Sequence, residues 1–251
     1  MSSSIWTRCA GASELRALRL CPWRVVEAQH QVSTRKLVDS IEEQILLEEL
    51  IDSAKPPDVT RGRLHYLLAT PFRYPPLRYG SRFGGRHERG IWYGSETLRG
   101  AFAEVGYYRL LFLEGTTAEL GPLTTQLTAF TARAQSARGV DLVGPPFDAF
   151  HRAIASPVKY DATQTLGREM RDAGVELFRY PSARDPADSV NIGALTPSVF
   201  GNGKPRGFET WHCTASRDKV EFAKRDYFVR DAITFARESY LVGGVLPSPA
   251  V

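Results

Sequence analysis

The run from Pro71 to Glu104, PFRYPPLRYGSRFGGRHERGIWYGSETLRGAFAE, sets Arg73, Arg78, Arg82, Arg86 and Arg89 among Phe72, Tyr74, Tyr79, Phe83, Trp92 and Tyr93. A guanidinium matches phosphate through a rigid planar fork, and an aromatic face stacks on a flat ring. Glu104 follows as a single carboxylate on an otherwise apolar stretch. Beside a sugar, such a carboxylate stabilises positive charge as it develops. The combination describes a pocket for a nucleotide with a reactive ribose. Gly100 lies one helical turn before Glu104 and so shares its face, which leaves room for a ligand close to the backbone.

Each of these residues also has an ordinary reading, as a surface charge or a core aromatic. The run as a whole has a competing one: basic residues interleaved with aromatics are what a single-stranded nucleic-acid platform uses. Against that stand Glu104 and the apolar Ile91-Trp92-Tyr93, which suit a closed pocket better than an open track.

Other chemistries lack their residues. The sequence has no phosphate-binding GKS or GKT loop, no HExxH and no GxSxG elbow. Its histidines (His30, His65, His87, His151, His212) show no i, i+4 pairing for a metal on a helix. Cys9, Cys21 and Cys213 are too scattered for a zinc site or a disulfide framework. No metal is expected. Gly201 to Gly207 resembles a phosphate loop, but Pro205 and the lack of a following helix point to a hairpin turn.

The elements that must position these residues read as follows. Arg35 to Lys55 is an apolar-striped helix, capped by Ser33 or Thr34 and ended by Pro56-Pro57. Arg63–Leu68 and Ile91–Gly94 read as strands. Ser95 or Thr97 starts a helix carrying Leu98, Ala101, Phe102 and Val105. Residues 123 to 142 favour strand, and Asp161–Ala173 is a helix with capping-box-like spacing from Asp161 to Gln164. Val175–Tyr180, Val190–Leu195, Phe208–Cys213 and Val220–Phe228 are strands, and the tail from Gly243 is loose. Strands outnumber helices without regular alternation, so the class is α+β. The domain reading is a helical N-terminal extension over 1–60 and a main domain over 61–251.

With 251 residues, 43% hydrophobic and 24% charged, the chain has an ordinary globular composition. A net charge of +4 is too modest to require nucleic acid. No apolar run approaches the roughly 20 residues that span a bilayer, the N-terminus is not a signal peptide, and the reading is a cytoplasmic protein with no membrane partner.

Five blocks in order resemble the RES-domain family: Phe72-Arg73, Ser81-Arg82-Phe83, Trp92-Tyr93-Gly94-Ser95, Ala101-Phe102-Ala103-Glu104, and Phe178-Arg179-Tyr180-Pro181-Ser182-Ala183-Arg184. That resemblance runs from about Arg63 to the end of the chain. It implies a fold similar to ADP-ribosyltransferases, with mixed and antiparallel sheets and flanking helices. It also implies a toxin of a bacterial toxin–antitoxin pair, NAD+ as substrate, and a small helix-turn-helix (Xre-type) antitoxin as partner. Self-association within that complex stays open. Carried over residue by residue, Arg73 and Arg82 contact the NAD+ pyrophosphate and neighbouring groups, Tyr93 lies against the nicotinamide end, Glu104 is the family glutamate and Ser182 the family serine. Ser95 is a second candidate serine whose place suits a helix cap better.

The chemistry agrees. Nicotinamide in NAD+ is already a cationic leaving group, so no general acid is needed, and C–N cleavage leaves an oxocarbenium-like ribose, as in glycoside hydrolysis. One carboxylate and fixed arginines suffice. Three acceptors remain open: water, inorganic phosphate held by arginines such as Arg78, Arg86 or Arg184, and a side chain of a target protein. NAD+ degradation is favoured, because no segment obviously recruits a protein target.

Overall fold

Alternation of buried and exposed side chains builds the scaffold as a ten-stranded sheet in the computed structural model, which describes residues 3–28, 37–57, 60, 62–76 and 78–248. Its strands are β1 (Arg16–Leu20), β2 (Trp23–Glu27), β3 (Trp92–Ser95), β4 (Leu123–Thr131), β5 (Ala134–Asp141), β6 (Leu177–Pro181), β7 (Val190–Ala194), β8 (Arg206–Ala215), β9 (Lys219–Lys224) and β10 (Ala232–Ala236). Their order across the sheet is β1-β5-β6-β7-β3-β2-β4-β8-β9-β10. β5 and β6 pair in parallel, and the other neighbours are antiparallel. The helices are α1 (Ile5–Arg8), α2 (Ile41–Ala54), α3 (Tyr66–Arg73), α4 (Leu98–Glu114), α5 (His151–Ile154) and α6 (Asp161–Asp172). The fold is α+β.

Helix α4 is the element on which the site depends. Thr97 caps it, its hydroxyl accepting from Gly100 N at 3.0 Å, so of the two expected caps Thr97 is the one used. Phe102, Tyr107, Leu110 and Leu113 enter a core with Trp211, Phe222 and Phe235, where Phe102 stacks on Phe222 at 4.3 Å. Burying such side chains is worth about 1.5–3 kcal/mol each, which fixes the helix axis against the sheet. A second core gathers Phe83, Leu166, Met170 and Phe178, and a third Phe72, Trp92, Phe130 and Phe200.

Several expectations change. Residues 16–27, expected within a helical extension, form β1 and β2 and pair with β5, β3 and β4. The sheet therefore draws on both sides of the boundary expected at residue 60. The expected strand from Arg63 to Leu68 is instead the approach to α3, because Leu67, Leu68, Ala69 and Phe72 bury together at helical spacing and the His65 ring accepts from Leu67 N. Helix α2 is capped by Ser40; the caps expected at Ser33 or Thr34 lie outside the described residues. Helix α6 has no side-chain cap, and Gln164 is used elsewhere. The strand expected to reach Phe228 ends at Lys224, and a hairpin returns through β10. Gly201 to Pro205 joins β7 to β8, which are not sheet neighbours, so it is a crossover rather than a hairpin turn. The tail is docked through residue 248: Leu246 is buried, and the Tyr107 hydroxyl donates to Pro247 O.

Candidate active site

The sheet has a seam. β2 and β3 share a single pair, Trp23 with Ser95, and then diverge. Where the next backbone bonds would fall, the Arg24 side chain takes over: its Nη1 donates to Tyr93 O at 2.5 Å, with the guanidinium 5.2 Å from the Trp92 ring. Gly94 permits this approach, since a Cβ there would lie 2.8 Å from Trp23 O and 2.7 Å from the Trp92 ring. The gap so opened, roofed by α4, is a cleft of about 570 Å³, within the roughly 300–1,000 Å³ usual for small-molecule sites.

Glu104 enters the cleft from α4 half-buried. Its Oε1 accepts from Asn191 Nδ2 of β7 at 2.7 Å and from Ser182 Oγ at 3.2 Å. Ser182 is itself locked, because its Oγ also accepts from the backbone N–H groups of Arg184 (3.1 Å) and Asp185 (3.2 Å). Oε2 of Glu104 takes no hydrogen bond among the described residues. The structure thus brings Glu104 and Ser182 together across 78 residues of chain, with Ser182 acting on the carboxylate's orientation. Gly100 serves a different purpose from the one expected: it is buried, and a Cβ there would stand 2.3 Å from Ser95 Oγ and 2.7 Å from Ser189 Cβ. It allows α4 to sit close on the strands rather than admitting a ligand. Ser95 donates to Val190 O at 3.1 Å and is neither cap nor partner of Glu104.

The loop before β3 carries Arg82 and is pinned from two sides. The Tyr93 hydroxyl accepts from Phe83 N at 3.2 Å and shares a 2.9 Å bond with Ser81 Oγ. Gln164 of α6 donates to Tyr79 O and Ser81 O at 3.1 and 3.2 Å. Arg82 is buried at 8% exposure, yet it lines the cleft; its Nη1 donates to Ser156 O (2.7 Å) and Ile154 O (3.3 Å), and it stacks over Tyr160 at 4.7 Å. Burial pushes the Tyr93 phenol up to about 12, so Tyr93 stays neutral and offers the cleft a ring, its hydroxyl being committed to the loop.

Arg24 is the cleft residue that the sequence did not reveal. Like Arg82, it bonds to a carbonyl rather than a carboxylate, and its Nε is buried without a partner. Burial lowers it from the usual arginine range to about 10. Both arginines are therefore held in place with their charge uncompensated, an arrangement suited to an anionic ligand. Asn191 and Tyr160 also line the cleft and carried no signal beyond their residue type, and Tyr180, from the last of the five blocks, joins them. Arg73 does not line it: at the end of α3 its Nε donates to Pro56 O, and its guanidinium lies 6.0 Å from the Tyr74 ring.

The aromatic run is not a continuous stacking track. Phe72, Phe83 and Trp92 are 2%, 0% and 0% exposed and offer no face to a nucleic-acid base, whereas Tyr74 and Tyr79 are exposed. Among the described residues no group of three or more His, Cys, Asp or Glu side chains comes together to hold a metal, and no helix is long and apolar enough to cross a membrane.

A family model described as RES domain matches residues 56–216, more than half of the chain. No curated protein matches the chain. The matched segment contains Arg82, Tyr93, Glu104, Ser182 and Asn191, whereas Arg24 reaches the cleft from a strand outside it.

Proposed function

We propose that this chain, which belongs to the RES-domain family, cleaves the nicotinamide–ribose bond of NAD+ and thereby consumes it, as the toxin of a toxin–antitoxin pair. The observation that carries this reading is the pairing, in one cleft, of a carboxylate oriented by Ser182 and Asn191 with two arginines, Arg82 buried and Arg24 half-buried, that bond to carbonyl oxygens and, among the described residues, to no carboxylate.

In this reading Arg24 and Arg82 hold the diphosphate, which fixes the ribose against Glu104. The Tyr93 ring lines the nicotinamide end, next to Tyr180 at 6.3 Å between ring centroids. As the C–N bond breaks, its electron pair moves onto the nicotinamide nitrogen, which becomes neutral, and positive charge spreads over C1′ and the ring oxygen. Glu104 stabilises that charge. Asn191 and Ser182 hold the carboxylate in place beforehand, so little reorganisation is needed at the transition state. The acceptor then bonds to C1′. Water gives ADP-ribose and a proton; inorganic phosphate gives ADP-ribose 1″-phosphate; a protein side chain gives an ADP-ribosylated target. All three acceptors are consistent with the family; NAD+ degradation is favoured because no segment obviously recruits a protein target, and the family resemblance supports a helix-turn-helix antitoxin as partner.

The deciding experiment incubates purified chain, free of any antitoxin, with NAD+ in phosphate-free buffer and in phosphate, and identifies the products. Nicotinamide appears in both arms if water is the acceptor, and mainly with phosphate if phosphorolysis dominates. Transfer of label from NAD+ to added protein would move the assignment to ADP-ribosyltransfer. Intact NAD+ in every arm would sink the proposal.

A further inference from the structure

The two edges of the ten-stranded sheet differ. At one edge β1 carries Arg16 and Arg19, and its register slips between Arg16 and Leu18. Edge charges and irregular pairing are usual guards against the addition of another strand. At the other edge β10 reads Ala232-Ile233-Thr234-Phe235-Ala236, with no charge, no proline and no register shift. The bonds that flank it fix which way its backbone faces. Asp231 O accepts from Lys224 N at 2.9 Å, and Arg237 N donates to Asp218 O at 2.8 Å. Backbone groups of successive residues point to opposite sides of a strand. Ile233 and Phe235 therefore bond to β9, while Ala232, Thr234 and Ala236 turn their N–H and C=O groups outward. All three are exposed. Among the described residues the only partner of these outward groups is Ser239 Oγ, which donates to Ala236 O at 2.7 Å. Beyond the strand, the β9–β10 hairpin tip holds Tyr227 and Phe228 at 98% and 95% exposure, in a turn where Asp226 Oδ1 accepts from Phe228 N and Val229 N.

We propose that β10 is a dimer edge, on which two copies of the chain pair β10 with β10, antiparallel about a two-fold axis through Thr234, and join their sheets into one. The register follows from the outward set. Only outward-facing residues can bond across the new edge. Centring on Thr234 matches Ala232 with Ala236 of the second copy, so every outward group of the strand finds a partner. On the face covered by α4, the partly buried Ile233 then falls opposite Phe235 of the second copy. The same symmetry sets Asp231 of one copy opposite Arg237 of the other, a residue that also bonds Glu114. It carries each aromatic tip past the end of the other β10, towards the segment where Val242 and Val245 are exposed. The surface is self-complementary, as a two-fold contact must be. β10 lies outside the matched segment 56–216, and β4, β8 and β9 separate it from the seam, so this inference stands apart from the cleavage reading.

Sedimentation of the whole chain over a concentration series tests it. The wild type passes from monomer to dimer mass and stops there, because pairing uses up the open edge. Thr234→Lys and Thr234→Glu each set like charges face to face at the axis and raise the dissociation constant at least about tenfold. Thr234 is exposed, so both variants keep the melting temperature of the wild type. Mixed in equal amounts, the two variants bring opposite charges together at the axis and recover the dimer. That recovery distinguishes strand pairing from adhesion of the aromatic tips, which neither substitution touches. A wild type that stays monomeric throughout overturns the proposal, as does growth beyond the dimer. Association unchanged in either variant, or a mixture no more dimeric than its parts, overturns it too.

Discussion

Two sets of arginines flank the same stretch of sheet and are treated in opposite ways. On β6, Arg179 bonds Glu96 and Asp141 at 2.6 Å each, and Arg16 joins Asp141 at 2.7 Å. The bond to Glu96, assisted by Asp141, raises the Arg179 pKa further. In the cleft, Arg24 and Arg82 are placed just as firmly, but by carbonyl oxygens. A carbonyl orients a guanidinium without neutralising it. On the proposed reading, the contrast separates arginines that hold the protein together from arginines kept ready for an anion, although both are partly or wholly buried and all are alike in sequence.

Substitutions can break this contrast, beginning with the group that both cleft arginines are held to serve. Glu104→Gln keeps the bond from Ser182 and the shape but removes the charge, and lowers the rate of NAD+ cleavage by about 10²–10³-fold, measured as nicotinamide release. On the proposed reading, Arg82→Ala loses a contact to the diphosphate and raises KM, cutting kcat/KM by about 10- to 100-fold. Arg24→Ala weakens substrate by roughly tenfold through the same loss. Because burial lowers Arg24 to about 10, the free protein sheds this charge as pH rises through that value. KM of the wild type therefore climbs there, and the additional climb is missing from Arg24→Ala. Equal activity in Arg24→Ala and wild type would remove Arg24 from the site.

The carboxylate-bound set responds in stability instead. Arg179→Ala lowers Tm by about 2–4 °C, given that a partly exposed ion-pair network contributes about 1 kcal/mol in a chain of this size, and it leaves kcat/KM nearly unchanged. A loss of activity from Arg179→Ala comparable to that from Arg82→Ala would erase the distinction between the sets. Arg73→Ala has the smallest effect, about 1 kcal/mol or less from the lost bond to Pro56 O, read by denaturant melting.

Arg73 also shows where sequence reasoning stopped. Glu104, Arg82, Tyr93 and Ser182 were legible because ordered blocks carry them, and the structure gathers them in or beside one cleft. Arg73 sits in an equally suggestive block, yet the turn of α3 directs it to Pro56. Whether YLLATPFR is strand or helix depends on which face Leu67, Leu68 and Phe72 can bury, and that is a tertiary fact. Arg24 failed in the opposite sense. It stands alone between Trp23 and Val25 with no local pattern, and it gains its place from a sheet pairing between β2 and β3, about 70 residues apart. Long-range pairing of this kind leaves no periodicity to read. The strands of residues 123–142 and the helix after Thr97 were legible because their burial follows local alternation and capping.

The most direct test compares nicotinamide release from NAD+ by the purified wild type and by Glu104→Gln, with phosphate present and the melting temperature of both recorded. The account predicts release by the wild type and at least a hundredfold slower release by an equally stable Glu104→Gln. Release at the same rate from both, or none from a folded wild type, would contradict it.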